Sequence, residues 1–244
     1  MPRFPRLALA NYPHHLVHRG HNQQDVFFSN ADRRAYLDTL VEFRDELKLS
    51  IYGYCLMTNH VHLIINPGND VANLGRLMKR LAGRHTRRIN CMRERSGTLW
   101  GGRFKCSPID SDRYMLCCLR YVDLNPVRAK LVESPASFHW SSFRAHVGLE
   151  ECAWLDLDPS LQGLSPTHRG RQMLYREFVS QGDDPADLRF IRESLQRGHL
   201  TAPDELAGEL EENAPGKLPQ RQRGRPRTRI ELAREPDLFD PGEK

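Results

Sequence analysis

Apolar residues change their spacing several times along the chain, and each change predicts a different element. The short run 14-HHLVHR-19 suits a strand. Asn30-Ala31-Asp32 then opens a helix in which Tyr36, Leu37, Leu40, Val41, Phe43 and Leu47 recur at amphipathic spacing. Two short apolar runs follow, 50-SIYGYCLM-57 and 60-HVHLII-65, joined only by Thr58-Asn59, which predicts two paired strands. After Asn69-Asp70 the helical spacing returns, with Leu74, Leu77, Met78 and Leu81 on one side. The other side carries Arg76, Lys79, Arg80, Arg84, Arg87 and Arg88. Gly97, Gly101 and Gly102 mark a loop, 103-RFKCSPI-109 reads as a further strand, and a third helix runs from Ser111-Asp112 towards Asn125-Pro126. This order predicts an α+β sandwich, an antiparallel sheet with helices on one face.

Beyond about residue 150 the pattern loosens into two weaker helical stretches, 168–180 and 184–198. From Ala214 the chain is rich in Pro, Arg and Gly, a composition that buries too little apolar surface to fold. The expected organisation is a principal domain over 1–148, a helical extension over 149–213 and a basic, disordered tail over 214–244.

Composition narrows the class. Apolar residues make up 39% of 244, and neither a signal-peptide core nor a run of membrane-spanning length is present, so a soluble protein is expected. Six cysteines without any C-x-x-C form neither a disulfide framework nor a zinc ribbon, which suits a reducing cytoplasm. Net charge is only +5, but ten Lys/Arg lie between Arg76 and Lys105 against a single acid, Glu94. The ten include Arg103 and Lys105. Six more stand between Lys217 and Arg229 with no acid. Segregation of this kind points to a polyanionic partner, although either cluster alone could be a solvated basic face.

The chemistry gathers on the second predicted strand pair. Residues two apart on a strand share a face, so His60 and His62 project together and can chelate one divalent ion, leaving positions for water or substrate oxygens. An H-x-H pair alone is equally compatible with two ordinary histidines. On the third helix, Tyr121 and Asn125 are four apart and share a face. A tyrosine hydroxyl, with a pKa near ~10, is a poor nucleophile at neutral pH, but beside a cation that polarises phosphorus it can attack. The Asn125 carbonyl could complete the metal shell. Pro126 disfavours helical geometry at Asn125, which is therefore expected to end one helix and cap the next. A core tyrosine is the competing reading of Tyr121.

The series NHVHLII, a basic helix, LWGGRFK, RYVDLNPVRAKLV and HWSS resembles the single-tyrosine transposases of the HUH nuclease superfamily, and within them the REP-associated tyrosine transposases. The resemblance covers roughly residues 10 to 145. It implies a ferredoxin-like HUH sandwich with His60 and His62 as metal ligands, Tyr121 as nucleophile and Asn125 in place of the third, amide-bearing ligand. Tyr114, two turns earlier, lacks an Asn four residues on. It implies a metal cofactor, Mg²⁺ or Mn²⁺, a 5′-phosphotyrosine intermediate, and hairpins of single-stranded DNA as partner. The basic helix would track hairpin phosphates, and Trp100, Phe104 or His85 could stack bases, with core packing as the alternative. The tail segment 222-QRGRPRTR-229 resembles an AT-hook, so Arg223, Arg225 and Arg227 are candidates for A·T-rich duplex. The resemblance leaves monomer and homodimer both open. A rolling-circle initiator or relaxase, a non-catalytic DNA-binding regulator and a zinc hydrolase are the other readings. Relaxases carry the tyrosine upstream of the histidines, and a zinc hydrolase would want a third ligand of its own.

Overall fold

The two apolar runs around Thr58-Asn59 pair to form one side of a four-stranded sheet. In a computed structural model, which describes residues 7–110 and 112–198, the elements follow the expected order. They are β1 (His14–Arg19), α1 (Asn30–Leu47), β2 (Ser50–Leu56), β3 (His60–Asn66), α2 (Ala72–Met92), β4 (Lys105–Pro108) and α3 (Asp112–Asp123). Then come α4 (Asn125–Arg128), α5 (Phe143–His146), α6 (Pro159–Gln162), α7 (His168–Ser180) and α8 (Pro185–Arg197). Helix α1 starts where Ser29 accepts the Asp32 amide as N-cap, and ends at Lys48 in the left-handed region. No helix among the described residues is long and apolar enough to cross a membrane.

All strand pairs are antiparallel, in the order β2-β3-β1-β4. The register aligns Cys55, His62, Val17 and Lys105 in one row across the sheet, and Gly53, Ile64, His15 and Ser107 in the next row on the same face. Leu16, Val61, Leu63 and Ile65 alternate to the opposite face. There they pack with Tyr36, Leu40 and Phe43 of α1 and Leu74, Leu77, Met78 and Leu81 of α2.

The expectation of helices on one face accounts for α1 and α2 but not for the rest. Val17, Cys55 and Ile64 on the histidine face are covered by Met115, Cys118, Leu119, Tyr121 and Val122 of α3. The same cluster takes in Tyr175 and Val179 of α7 and Ile191 and Leu195 of α8. The reason is visible in β2 and β3, whose residues are almost all buried on both sides of the pleat. A strand covered on both faces reads as a continuous apolar run, and such a run does not say which helix covers which side. Burying each Leu or Ile this way stabilises the fold by about 1.5–3 kcal/mol, so both layers are substantial.

Gly53 sets how closely the second layer approaches. A Cβ built there would lie 2.8 Å from Leu119 Cδ2, closer than side chains tolerate, so α3 rests on bare backbone at this point.

The C-terminal end of α3 carries a buried carboxylate. Asp123 is fully buried and accepts the Tyr175 hydroxyl of α7 at 2.7 Å and the Ser142 hydroxyl at 3.2 Å, with the His146 ring 3.4 Å away. Ser142 in turn receives the Tyr54 amide of β2 at 3.1 Å, so one acid ties α3 to α7, α5 and the sheet. Asp123→Ala leaves the Tyr175 hydroxyl buried without this acceptor and is expected to destabilise the chain by on the order of 2–3 kcal/mol. Urea unfolding checks this. A midpoint equal to wild type would show that the network holds nothing together.

Candidate active site

Strand β3 presents His60 and His62 on the face that α3 covers, and the α3–α4 joint brings two further groups down onto them. Leu124 lies between the helices at φ −85°, ψ −2°. The bonds Leu124 N–H to Arg120 C=O and Arg128 N–H to Leu124 C=O, both 2.9 Å, carry the helical path across the joint. Tyr121 and Asn125 therefore keep their common side despite Pro126, which sits in the first turn of α4 where its missing N–H costs nothing. Both side chains are buried against the sheet.

The histidines and the asparagine converge. Asn125 Nδ2 lies 2.8 Å from His62 Nε2, and the Asn125 side chain also hydrogen-bonds His60. The other ring nitrogens are occupied: His60 Nδ1 meets Asn59 Oδ1 at 2.6 Å, and His62 Nδ1 meets His15 Nε2 at 2.9 Å. The Tyr121 ring stands edge-on to both His62 and His15, with centroids 5.8 and 5.6 Å away.

Burial dominates the electrostatics. It pulls His60 down to about 3, with Arg19 and Arg128 adding to the effect and the Asn125 hydrogen bond opposing it. Burial pulls His62 well below the ordinary imidazole range too, assisted by His60, His15, Arg128 and Arg19. Both rings are therefore neutral at neutral pH, as metal ligands must be. Burial also pushes the Tyr121 hydroxyl well above its ordinary range, against the pull of Arg128 and of Arg192, which hydrogen-bonds it from α8. The Arg128 guanidinium lies 4.2 Å from the centre of the Tyr121 ring and bonds both the Tyr121 carbonyl and Asp183.

The donor set fits a divalent cation. Among the described residues no group of three or more His, Cys, Asp or Glu is gathered to hold a metal, so the third donor within reach of the histidines is the Asn125 amide. Two imidazoles and an amide oxygen make an N/O set that leaves room for substrate oxygens.

Residues 8–125 match the family model described as IS200-like transposase. Over that span the chain is similar to the IS200-like transposases. The match closes on Asn125 and so takes in His60, His62, Tyr121 and Asn125. Among solved structures, the fold is similar to that of a REP-associated tyrosine transposase bound to a REP hairpin. The TM-score is 0.54 at 13% identity, over 65% of this chain and 99% of that one. A chain designated a transposase from Deinococcus radiodurans R1 is 18% identical, with a TM-score of 0.34 over 50% of this chain and 96% of that one. No curated protein matches.

The other candidate residues are distributed less simply. Tyr114 packs against Phe190 of α8, with centroids 5.0 Å apart. Trp100, Phe104 and His85 are buried, and His85 bonds the Val26 carbonyl at 2.7 Å, so they are core rather than base-stacking platforms. Helix α2 follows the histidine strand in sequence but lies across the sheet from it. Four of its six candidate cations are ion-paired there: Arg76 with Asp70, Arg80 with Glu46, Arg84 with Glu42 and Arg88 with Asp32. Arg80 and Arg84 also stack on Phe43, at 3.8 and 4.5 Å. Lys79 and Arg87 are exposed and have no acidic partner among the described residues. Arg103 is exposed in the loop before β4, and Lys105 joins the histidine row from the sheet edge. Arg223, Arg225 and Arg227 lie outside the described residues.

Three cations near the candidate site escaped sequence reasoning: Arg19, opposite His60 in the register, Arg128 and Arg192. So did His15. Only the β1–β3 register, which no local pattern reveals, brings Arg19 and His15 to the histidines.

Proposed function

We propose that this chain cleaves and rejoins single-stranded DNA at REP-like hairpins by transesterification, serving transposition or REP mobilisation. The observation that carries the reading is the convergence of His60 and His62 on one Asn125 side chain, with Tyr121 one helical turn before it. A match to the IS200-like transposase family model over residues 8–125 and a fold similar to that of a hairpin-bound transposase support the substrate class.

In this reading the Tyr121 oxygen attacks the scissile phosphorus in line, giving up its proton as the Tyr–O–P bond forms and the P–O3′ bond breaks. The departing 3′ oxygen takes a proton. One phosphodiester replaces another, so no nucleotide triphosphate is consumed, and attack by a 3′-hydroxyl reverses the step. His60, His62 and Asn125 would hold Mg²⁺ or Mn²⁺, which when bound neutralises charge on the scissile phosphate and makes phosphorus more electrophilic. Arg128 and Arg19 add fixed positive charge around the same point. Tyr121 is fully buried and Arg192 of α8 hydrogen-bonds its hydroxyl, so a DNA strand must displace part of this cover to reach it.

Incubating the full chain with hairpin-containing single strands and Mn²⁺, then running a denaturing gel, tests the proposal. A shifted covalent adduct together with a free 3′-hydroxyl fragment supports it. Hairpin binding without cleavage in any divalent ion would leave a non-catalytic regulator instead.

Hairpin affinity is assigned to open cations rather than paired ones. Lys79→Gln and Arg87→Gln are each expected to weaken binding and to flatten the salt dependence by about 0.7 in log Kd per log salt, the value for one single-strand phosphate contact. Arg80→Gln and Arg84→Gln should change the slope less, because Glu46 and Glu42 already occupy those guanidinium groups. Fluorescence titrations at several salt concentrations make the comparison, and equal slopes for all four variants would remove the distinction. Arg223, Arg225 and Arg227 supply the proposed contact to A·T-rich duplex flanks.

A further inference from the structure

A chain of hydrogen bonds fixes the protonation pattern of the whole histidine cluster, and it starts outside the site. Asn59 Nδ2 donates to the Gln23 carbonyl at 3.2 Å, so the Asn59 oxygen is the atom that faces His60. His60 Nδ1 must then carry the proton, which leaves its Nε2 with a lone pair. At the next ring, Asn125 Nδ2, which can only donate, lies 2.8 Å from His62 Nε2. His62 Nε2 is therefore an acceptor as well, and its proton sits on Nδ1, which donates to His15 Nε2 at 2.9 Å.

The last link is the informative one. His15 is fully buried in the middle of β1, one row along the sheet from His62, where a packed core asks only for a hydrocarbon. Its remaining nitrogen, Nδ1, is buried and has no hydrogen-bond partner among the described residues. Placing an imidazole there leaves one N–H unsatisfied, a cost that Leu or Phe would avoid. The compensation lies in what its other nitrogen does for His62. Were His15 Nε2 protonated instead, the His62 proton would move to Nε2 and block the atom aimed at the candidate cation position.

We propose that His15 is a positioning residue for metal binding: its Nε2 accepts the His62 Nδ1 proton and so holds the His62 Nε2 lone pair towards the cation. Asn59 Oδ1 does the same for His60. The proposal rests on the reading of His60 and His62 as metal ligands. Ligand histidines tied by their second nitrogen to an acceptor are better ordered and more basic, and losing that acceptor weakens metal affinity by about 10- to 100-fold.

The test titrates Mn²⁺ alone into the DNA-free full chain, followed by the electron paramagnetic resonance of free Mn²⁺. His15→Phe keeps the ring and loses the acceptor, and its affinity is expected to fall by about 10- to 100-fold. His15→Gln restores an acceptor oxygen and should recover most of the loss. Wild-type affinity in His15→Phe overturns the proposal while leaving the ligand reading intact. If His62→Ala binds Mn²⁺ as wild type does, the ligand reading fails and the proposal with it. Long-range ¹H–¹⁵N correlation on the metal-free wild type needs no variant to fold. Protons on Nδ1 of both His60 and His62 are expected, and a proton on His62 Nε2 would overturn the assignment.

Discussion

Tyr121→Phe is expected to abolish the covalent protein–DNA adduct while leaving hairpin affinity close to wild type. The substitution removes one oxygen and keeps a ring that is fully buried between α3, the histidines and Arg128. The hydroxyl is not a keystone of the fold, since Arg192 reaches it from a helix that is held mainly by Ile191 and Leu195. Losing a nucleophile costs on the order of 10⁴-fold or more in rate, which on a gel is disappearance of the adduct. The control is Tyr114→Phe, whose ring meets Phe190 and should leave the adduct unaffected. If Tyr114→Phe loses the adduct and Tyr121→Phe keeps it, the nucleophile has been assigned to the wrong turn of α3.

His62→Ala is expected to have the second largest effect, and EDTA should reproduce it in the wild type. A divalent cation contributes several kcal/mol of charge stabilisation at a phosphoryl centre, equivalent to roughly 10³-fold or more in rate. His60→Ala should behave alike, because both rings address the same amide. DNA binding should survive, since the open cations Lys79 and Arg87 lie on the other side of the sheet. A melting curve recorded beside the assay separates loss of metal from loss of fold, as His62 is a buried ring. Full cleavage in EDTA would end the metal hypothesis.

Local pattern carried the fold a long way, because strands and helices advertise themselves by period. β1, the α1 start at Asn30 and α7 fall where the apolar spacing put them. That His60 and His62 share a face of one strand, and Tyr121 and Asn125 one side of a continuous helical path, was legible for the same reason. Beyond the β2–β3 hairpin, whose two-residue connection announced it, contacts between elements were hidden. The doubly covered sheet was missed because β2 and β3 show no alternation. The neutralised face of α2 was missed because Glu42 and Glu46, its partners, sit on α1 some forty residues earlier. His15 and Arg19 were read only as strand residues, since the register that brings them to His62 and His60 is a property of two strands at once.

Gly53 gives the site a mechanical tolerance that can be stated from its surroundings. It faces Ile64, two residues beyond His62, and touches Leu119, two residues before Tyr121, so the sheet beside the histidines and the tyrosine helix meet at an atom that is absent. A single methyl there would press on the tip of the Leu119 side chain, which would have to turn aside before α3 itself moved. The seat of α3 on the sheet is therefore adjusted first through one leucine rotamer, and His60, His62, Tyr121 and Asn125 keep their identities while it is.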